Sequence, residues 1–173
     1  MIEIRTATGH DRPWIATASE SIGGPLIVTD SQLVDVSDHP ALVASVQGER
    51  LGFLVYRNLA PDVLEVIALR ALQRRIGIGS ALLDDLMARA RAITARQIEL
   101  DTTNDNAGGL AFYERHGFVV EKHRRGAFAE VLALKGYTID GPVIGCGGRE
   151  ITDVIRLRKI LTDTGFRPAG GRA

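Results

Sequence analysis

Three apolar runs, Ala41–Gln47, Leu51–Leu59 and Val63–Leu69, follow one another with only Gly48-Glu49-Arg50 and Ala60-Pro61-Asp62 between them. A parallel crossover needs about a dozen residues or more, so links this short fold each strand back on its predecessor. An antiparallel meander is therefore the element around which the rest of the chain has to arrange itself.

Ahead of the meander, Ile2–Ala7 alternates apolar and polar residues and predicts an opening strand. Asp11–Ile22 reads as a helix with Trp14, Ile15 and Ala18 on one face, stopped by Gly23-Gly24-Pro25. Leu26–Pro40 has no periodicity that selects an element. After the meander, Leu82, Leu83, Leu86, Met87 and Ala90 recur at helical spacing, with Asp84, Asp85, Arg89 and Arg91 facing away. Gln97–Thr103 predicts a strand, and Asn104–Phe118 a short helix that opens on capping residues and stops at Gly117. Phe118–His123 predicts a strand, Ala127–Lys135 a helical turn or two, and Tyr137–Thr152 a long glycine-rich connection. In Asp153–Leu161, Ile155, Leu157 and Lys159 alternate with Arg156 and Arg158, which predicts a final strand, with an amphipathic helix as the competing reading. The order implies an α/β (α+β) fold, a mixed and mostly antiparallel sheet flanked by helices. With 173 residues and no linker, one domain over 1–161 is expected, followed by a loose tail at 162–173.

Charge narrows the function classes. Lys+Arg and Asp+Glu both total 21, so nothing in the bulk charge attracts nucleic acid. The basic runs "KHRRG" and "RLRK" lack interleaved aromatics. Cys146 is the only cysteine, which rules out an intrachain disulfide and argues against a Cys-based metal site. No metal, membrane or nucleic-acid partner is expected, and with no apolar leader or membrane-length run a cytoplasmic protein is the default.

Two motifs carry chemistry. "LQRRIGIGSALL" (Leu72–Leu83) places glycines 77 and 79 between a strand and a helix N-terminus. First-turn amides lack intrahelical partners, the helix dipole adds positive charge, and glycine admits an anion close to the backbone. Arg74 and Arg75 add charge-assisted donors. The lysine of a P-loop and the third glycine of a dinucleotide loop are both missing. Taken alone, the stretch fits a structural turn as well as a ligand site. Further on, "NDNAGGLAFYERHGF" sets Asn106 and Tyr113 seven residues, or two helical turns, apart on nearly one face.

Together the motifs resemble the GNAT superfamily of acetyl-CoA-dependent acyltransferases. Arg74, Gly77 and Gly79 match its R/Q-x-x-G-x-G/A loop. Asn106, Gly109, Phe112, Tyr113, Gly117 and Phe118 match its later N-x-x-A-x-x-(L/F)-Y-x-x-x-G-F signature. Thr102–Asn106 and Asp153–Lys159 are also similar to uncharacterised bacterial members, although Arg156 and Arg158 replace acidic residues of that pattern. The resemblance implies a sheet splayed between its fourth and fifth strands, where acetyl-CoA inserts as co-substrate. The pyrophosphate would lie on Arg74, Arg75, Ile76, Gly77, Ile78, Gly79 and Ser80, with Ile76 where a polar residue is common. Asn106 would bond the pantetheine arm, and Ile67, Ala68 and Leu69 would bind the acyl end, an amide after a strand bulge serving as oxyanion donor. Gly109 replaces the usual alanine, weakening the helix by about 1 kcal/mol while opening room for the cofactor.

The implied activity is N-acetyl transfer to a primary amine by direct attack in a ternary complex. A lysine-like amine is mostly protonated at neutral pH, a deficit of roughly 4–5 kcal/mol without a base. Tyr113 matches the general-acid position. Glu65, two and four residues before Ile67 and Leu69 and so expected on their face, is the candidate base, with a salt-bridged structural glutamate as the plain alternative. Asp101 and Asp105 are weaker candidates, since Asp105 also suits a helix cap. His116 and His123 are expected at the surface. The competing function is a CoA-binding regulatory module without transfer. The amine's identity is not encoded, and the family resemblance allows a homodimer.

Overall fold

A computed structural model describes residues 1–73 and 75–161. The meander forms as expected, from β4 (Ala41–Val46), β5 (Glu49–Ala60) and β6 (Val63–Ala71). Its first turn is tighter than the sequence suggested. Val46 pairs with Glu49, leaving Gln47 and Gly48 at φ 51° and 81°, the paired positive φ of a two-residue turn whose twist matches the strands.

The sheet grows on both sides of this unit. β1 (Ile2–Thr6) pairs antiparallel with β4. On the other side, β6 pairs in parallel with β7 (Gln97–Thr103), the intervening chain crossing over through α2 (Ile78–Ala92). β9 (Val154–Ile160) is a strand, as its alternation suggested, and inserts between β7 and β8 (Val119–Arg124). The seven strands run β1-β4-β5-β6-β7-β9-β8.

Both faces of the central strands are covered, which explains why they read as nearly continuous apolar runs. On one face, α2 packs Leu82, Leu83 and Leu86 against Leu42, Leu54 and Leu64. On the other, Ile15 of α1 (Arg12–Ser19) meets Val43, Phe53 and Val55. Gly52 fixes the height of α2: a Cβ there would strike the Ile78 side chain and lie 2.8 Å from the Arg70 carbonyl.

The undecided stretch holds a separate hairpin, β2 (Leu26–Thr29) and β3 (Gln32–Asp35). Its turn residues, Asp30 and Ser31, have φ 48° and 58° with no glycine. The sheet therefore contains the expected fourth and fifth strands as β6 and β7. α3 (Ala107–Arg115) and α4 (Phe128–Leu134) occupy the two other helical stretches. Among the described residues no helix is long and apolar enough to cross a membrane. The expected tail at 162–173 lies outside the described residues.

Asp11 joins β1 to the start of α1. Its buried carboxylate accepts from Arg5 at 2.7 and 2.8 Å, from the Thr8 amide at 2.8 Å and from the Thr8 hydroxyl at 2.9 Å. The Arg5 hydrogen bond is the main reason its pKa lies well below the usual carboxylate range. Because the folded value is the lower one, the stabilisation is complete above about pH 4 and fades as pH falls below it. Asp11→Ala is expected to cost about 2–3 kcal/mol in urea unfolding at pH 7, moderated because Arg5 is half exposed. That deficit should shrink steadily below pH 4; a deficit independent of pH would remove the carboxylate as its source.

Candidate active site

The site begins where two parallel strands separate. β6 and β7 are paired only from Val63↔Gln97 to Val66↔Leu100. Just past that point β5 pairs Tyr56 with Val66 but Val55 with Ala68, so Ile67 is an extra residue on β6. A bulge bends its strand and raises the local twist. Here it directs Ile67–Ala71 away from β7, while β7 stays with β9 through Thr103↔Val154. The result is the expected splay.

The bulge also corrects the expected side-chain phase. Ile67 and Ala68 both pack on the α1 face, whereas Leu69 packs with the α2-face cluster. Glu65 therefore shares a face with Ile67 but not with Leu69. It is fully buried and accepts from Thr29 Oγ1 at 2.8 Å, Arg57 Nε at 2.6 Å and an Arg156 Nη at 3.1 Å. Arg156 further holds Glu99 at 2.7 Å and Asp101 at 3.0 Å. The proposed base is thus a neutralised, solvent-free anion, closer to the plain alternative. Asp101, one of the weaker candidates, is likewise engaged, by Arg156 and by the Asp30 amide at 2.9 Å.

At the mouth of the splay, the chain leaves β6 and enters α2 through the glycine loop. Gly77 caps α2 at φ 88°, a conformation that disfavours any side chain. Arg75 and Ile76 are exposed, and Arg75 also has a positive φ of 66°. Arg74 lies outside the described residues. Ile78, the first residue of α2, has its side chain buried in the core cluster. Gly79 plays a different part from the expected one: a Cβ there would lie 3.3 Å from the Phe112 ring and 3.7 Å from Leu69. Its bareness admits the aromatic of α3. Gly77 is the less crowded of the two: among the described residues its added Cβ would meet only Ile2, at 3.6 Å.

Asn106 stands at the far side of the splay as the N-cap of α3. Its Oδ1 accepts from the Gly109 amide at 3.0 Å, and its Nδ2 donates to Thr102 Oγ1 at 3.1 Å. One amide hydrogen is left for a ligand. A Cβ on Gly109 would collide with the Asn106 side chain, so the space attributed to a cofactor is taken by the cap itself. Asp105 is not the cap: it is buried and accepts from Thr103 Oγ1 at 2.5 Å and the Cys146 amide at 2.8 Å.

Tyr113 is buried in the α2-face cluster, edge-on to Phe112 at 5.2 Å and Phe118 at 5.5 Å. Burial raises its pKa well above that of a free phenol, so the hydroxyl stays protonated. Among the described residues that hydroxyl has no hydrogen-bond partner. His123 is exposed, as expected, whereas His116 is not. His123 contacts Asp153 at 2.6 Å. The Gly126 amide, that histidine and Thr152 hold the Asp153 carboxyl at about 2. His116 is half-buried between the two motifs.

Comparisons with known proteins bear on the family and the fold. The acetyltransferase (GNAT) family model matches residues 12–118. A curated relative, the uncharacterised protein YdhI of Bacillus subtilis, is 36% identical over 86 residues, covering 45% of this chain and 53% of its own. The chain spans between half and two thirds of the length of the curated relatives it matches. Among solved structures, the IAA acetyltransferase from Bacillus cereus superposes with TM-score 0.70 at 21% identity, covering 93% of this chain and 100% of its own. A GNAT family acetyltransferase from Elizabethkingia anophelis with acetyl-CoA bound gives 0.68 at 21%, covering 92% and 98%.

Proposed function

The chain belongs to the GNAT acetyltransferase family, and from that premise we propose that it transfers an acetyl group from acetyl-CoA to a primary amine by direct attack in a ternary complex. The observation that carries this reading is the coincidence of the Ile67 bulge with the end of β6–β7 pairing, opposite a glycine-capped helix N-terminus. When bound, acetyl-CoA supplies an activated thioester. The residues present fit it. The first-turn amides of α2, with Arg75 and Ser80, would receive the pyrophosphate, and Arg74 matches the family's loop arginine in sequence. The free amide hydrogen of Asn106 reaches the pantetheine arm. Ile67, Ala68 and Leu69 present backbone to the acyl end, and an amide at the bulge stabilises the oxyanion.

The neutral amine attacks the carbonyl carbon, the C–S bond breaks, and the departing thiolate takes its proton from Tyr113. The excess proton on nitrogen leaves to water, and the phenolate left on Tyr113 regains a proton from solvent. Glu65 would accept it only if Arg57 or Arg156 swung away, so its contacts favour an orienting role over the expected basic one. The engagement of Glu65, Asp101 and Asp105 by other groups supports a second reading, a module that binds CoA without transfer.

One pair of measurements separates the readings. Calorimetric titration is expected to show acetyl-CoA binding in the range typical of enzyme substrates, about 1 μM–1 mM. A free-thiol assay across a panel of primary amines should then show CoA release. Binding without amine-dependent release at any acceptor would favour the second reading. No binding at millimolar concentration would remove both.

A further inference from the structure

His116 links the two motifs, and we propose that it is a positioning residue for the pyrophosphate subsite, acting through the Ser80 hydroxyl. Its Nδ1 lies 2.8 Å from the Phe112 carbonyl oxygen, and its Nε2 lies 3.1 Å from Ser80 Oγ. The ring also packs against Phe112, centroids 4.4 Å apart. Phe112 in turn fills the space above Gly79. One turn of α3 therefore grips two consecutive residues of the first turn of α2.

The hydrogen bonds decide what Ser80 can offer. A carbonyl oxygen only accepts, so Nδ1 carries a hydrogen. In the neutral ring Nε2 is then an acceptor, and the Ser80 hydroxyl donates to it. Ser80 in that state presents only lone pairs to the loop, which suits no phosphate. A protonated ring donates from Nε2 to Ser80 Oγ, and the serine hydrogen is released to point at a phosphate oxygen. Phosphate capture and proton uptake at His116 are thereby coupled.

The charged groups around the ring do not replace this route. Lys159 of β9 donates to the His116 backbone carbonyl at 2.6 Å, not to the ring. Glu114 and Arg115 flank it on α3, Arg75 lies on the exposed loop, and the first turn of α2 has no acidic residue. The inference rests on the acetyl-CoA reading, because it presumes a phosphate at Ser80.

The test measures CoA affinity at pH 6 and pH 8 by titration calorimetry, with wild type, His116→Phe, Ser80→Ala and the double variant. Phenylalanine keeps the ring stacking and removes both nitrogens. His116→Phe is expected to weaken CoA binding about tenfold at pH 6, the size of one charge-assisted hydrogen bond. The effect should be smaller at pH 8, with kcat unchanged at saturating acetyl-CoA. The double variant should bind no more weakly than Ser80→Ala. His116→Gln, which can donate to Ser80 but cannot gain charge, should bind with a smaller pH dependence than wild type, and it serves if the phenylalanine variant fails to fold. Variants within twofold of wild type at both pH values, or effects that multiply in the double variant, would overturn the assignment alone. A wild-type protein that binds no CoA at millimolar concentration would overturn the parent reading and this one with it.

Discussion

Replacing Tyr113 by phenylalanine is expected to lower kcat about a hundredfold while leaving acetyl-CoA affinity within a factor of two. The phenyl ring keeps the edge contacts to Phe112 and Phe118, and no hydrogen bond to a described residue is lost, so the fold has little reason to respond. Only the proton donor disappears. Burial raises the phenol's pKa, which costs acidity but keeps the proton in place throughout neutral and mildly alkaline pH. The wild-type rate should therefore show no fall from tyrosine ionisation below about pH 10. Steady-state turnover with an accepted amine, set beside calorimetric affinity, separates the two effects. A variant with unchanged kcat would leave the thiolate to be protonated by solvent and would end the acid role of Tyr113.

What the sequence disclosed follows from how local each signal is. The meander was legible because its links are too short for any other connection, and α2 because its apolar residues keep one period. The β2–β3 hairpin was not legible. Its turn has no glycine, and its tip is held from outside, by Thr29 on Glu65, the Asp30 amide on Asp101 and Gln32 on Arg57. Those partners lie far along the chain. The glycine motif identified the loop but not the division of labour within it, because the neighbour that requires Gly79 to be bare is Phe112 on another helix. Asn106 and Asp105 are adjacent capping types, and only the geometry shows which one caps α3. The phase of Glu65 was missed for a comparable reason: a one-residue bulge leaves no mark on composition yet reverses the face of every residue after it. His116 shows no pattern at all in one dimension.

Arg156→Met is expected to be the most destabilising single change considered, about 3–5 kcal/mol at pH 7. From β9 the guanidinium reaches three carboxylates on two other strands at the root of the splay: Glu65 on β6 at 3.1 Å, and Glu99 at 2.7 Å and Asp101 at 3.0 Å on β7. Burial by itself would lower its pKa, but Asp101, Glu99 and Glu65 together hold it well above the ordinary arginine value. Replacing a whole buried ion network by apolar groups is often neutral, but this change removes only the cation. Glu65 keeps Arg57 and Thr29, Glu99 keeps Gln97, and Asp101 keeps one backbone amide, so three carboxylates face each other with one counter-charge fewer. The sign of the pH dependence follows. In the variant the uncompensated carboxylates bind protons more readily folded than unfolded, so its deficit against wild type should narrow as pH falls from 7 towards 5. Arg156→Lys restores the charge without the planar fork and should recover only part of the loss. Urea unfolding at the two pH values measures all of this. A deficit below 1 kcal/mol, or one that grows in acid, would mean that backbone pairing of β7 with β9, rather than the arginine, holds the strands at the point where β6 departs.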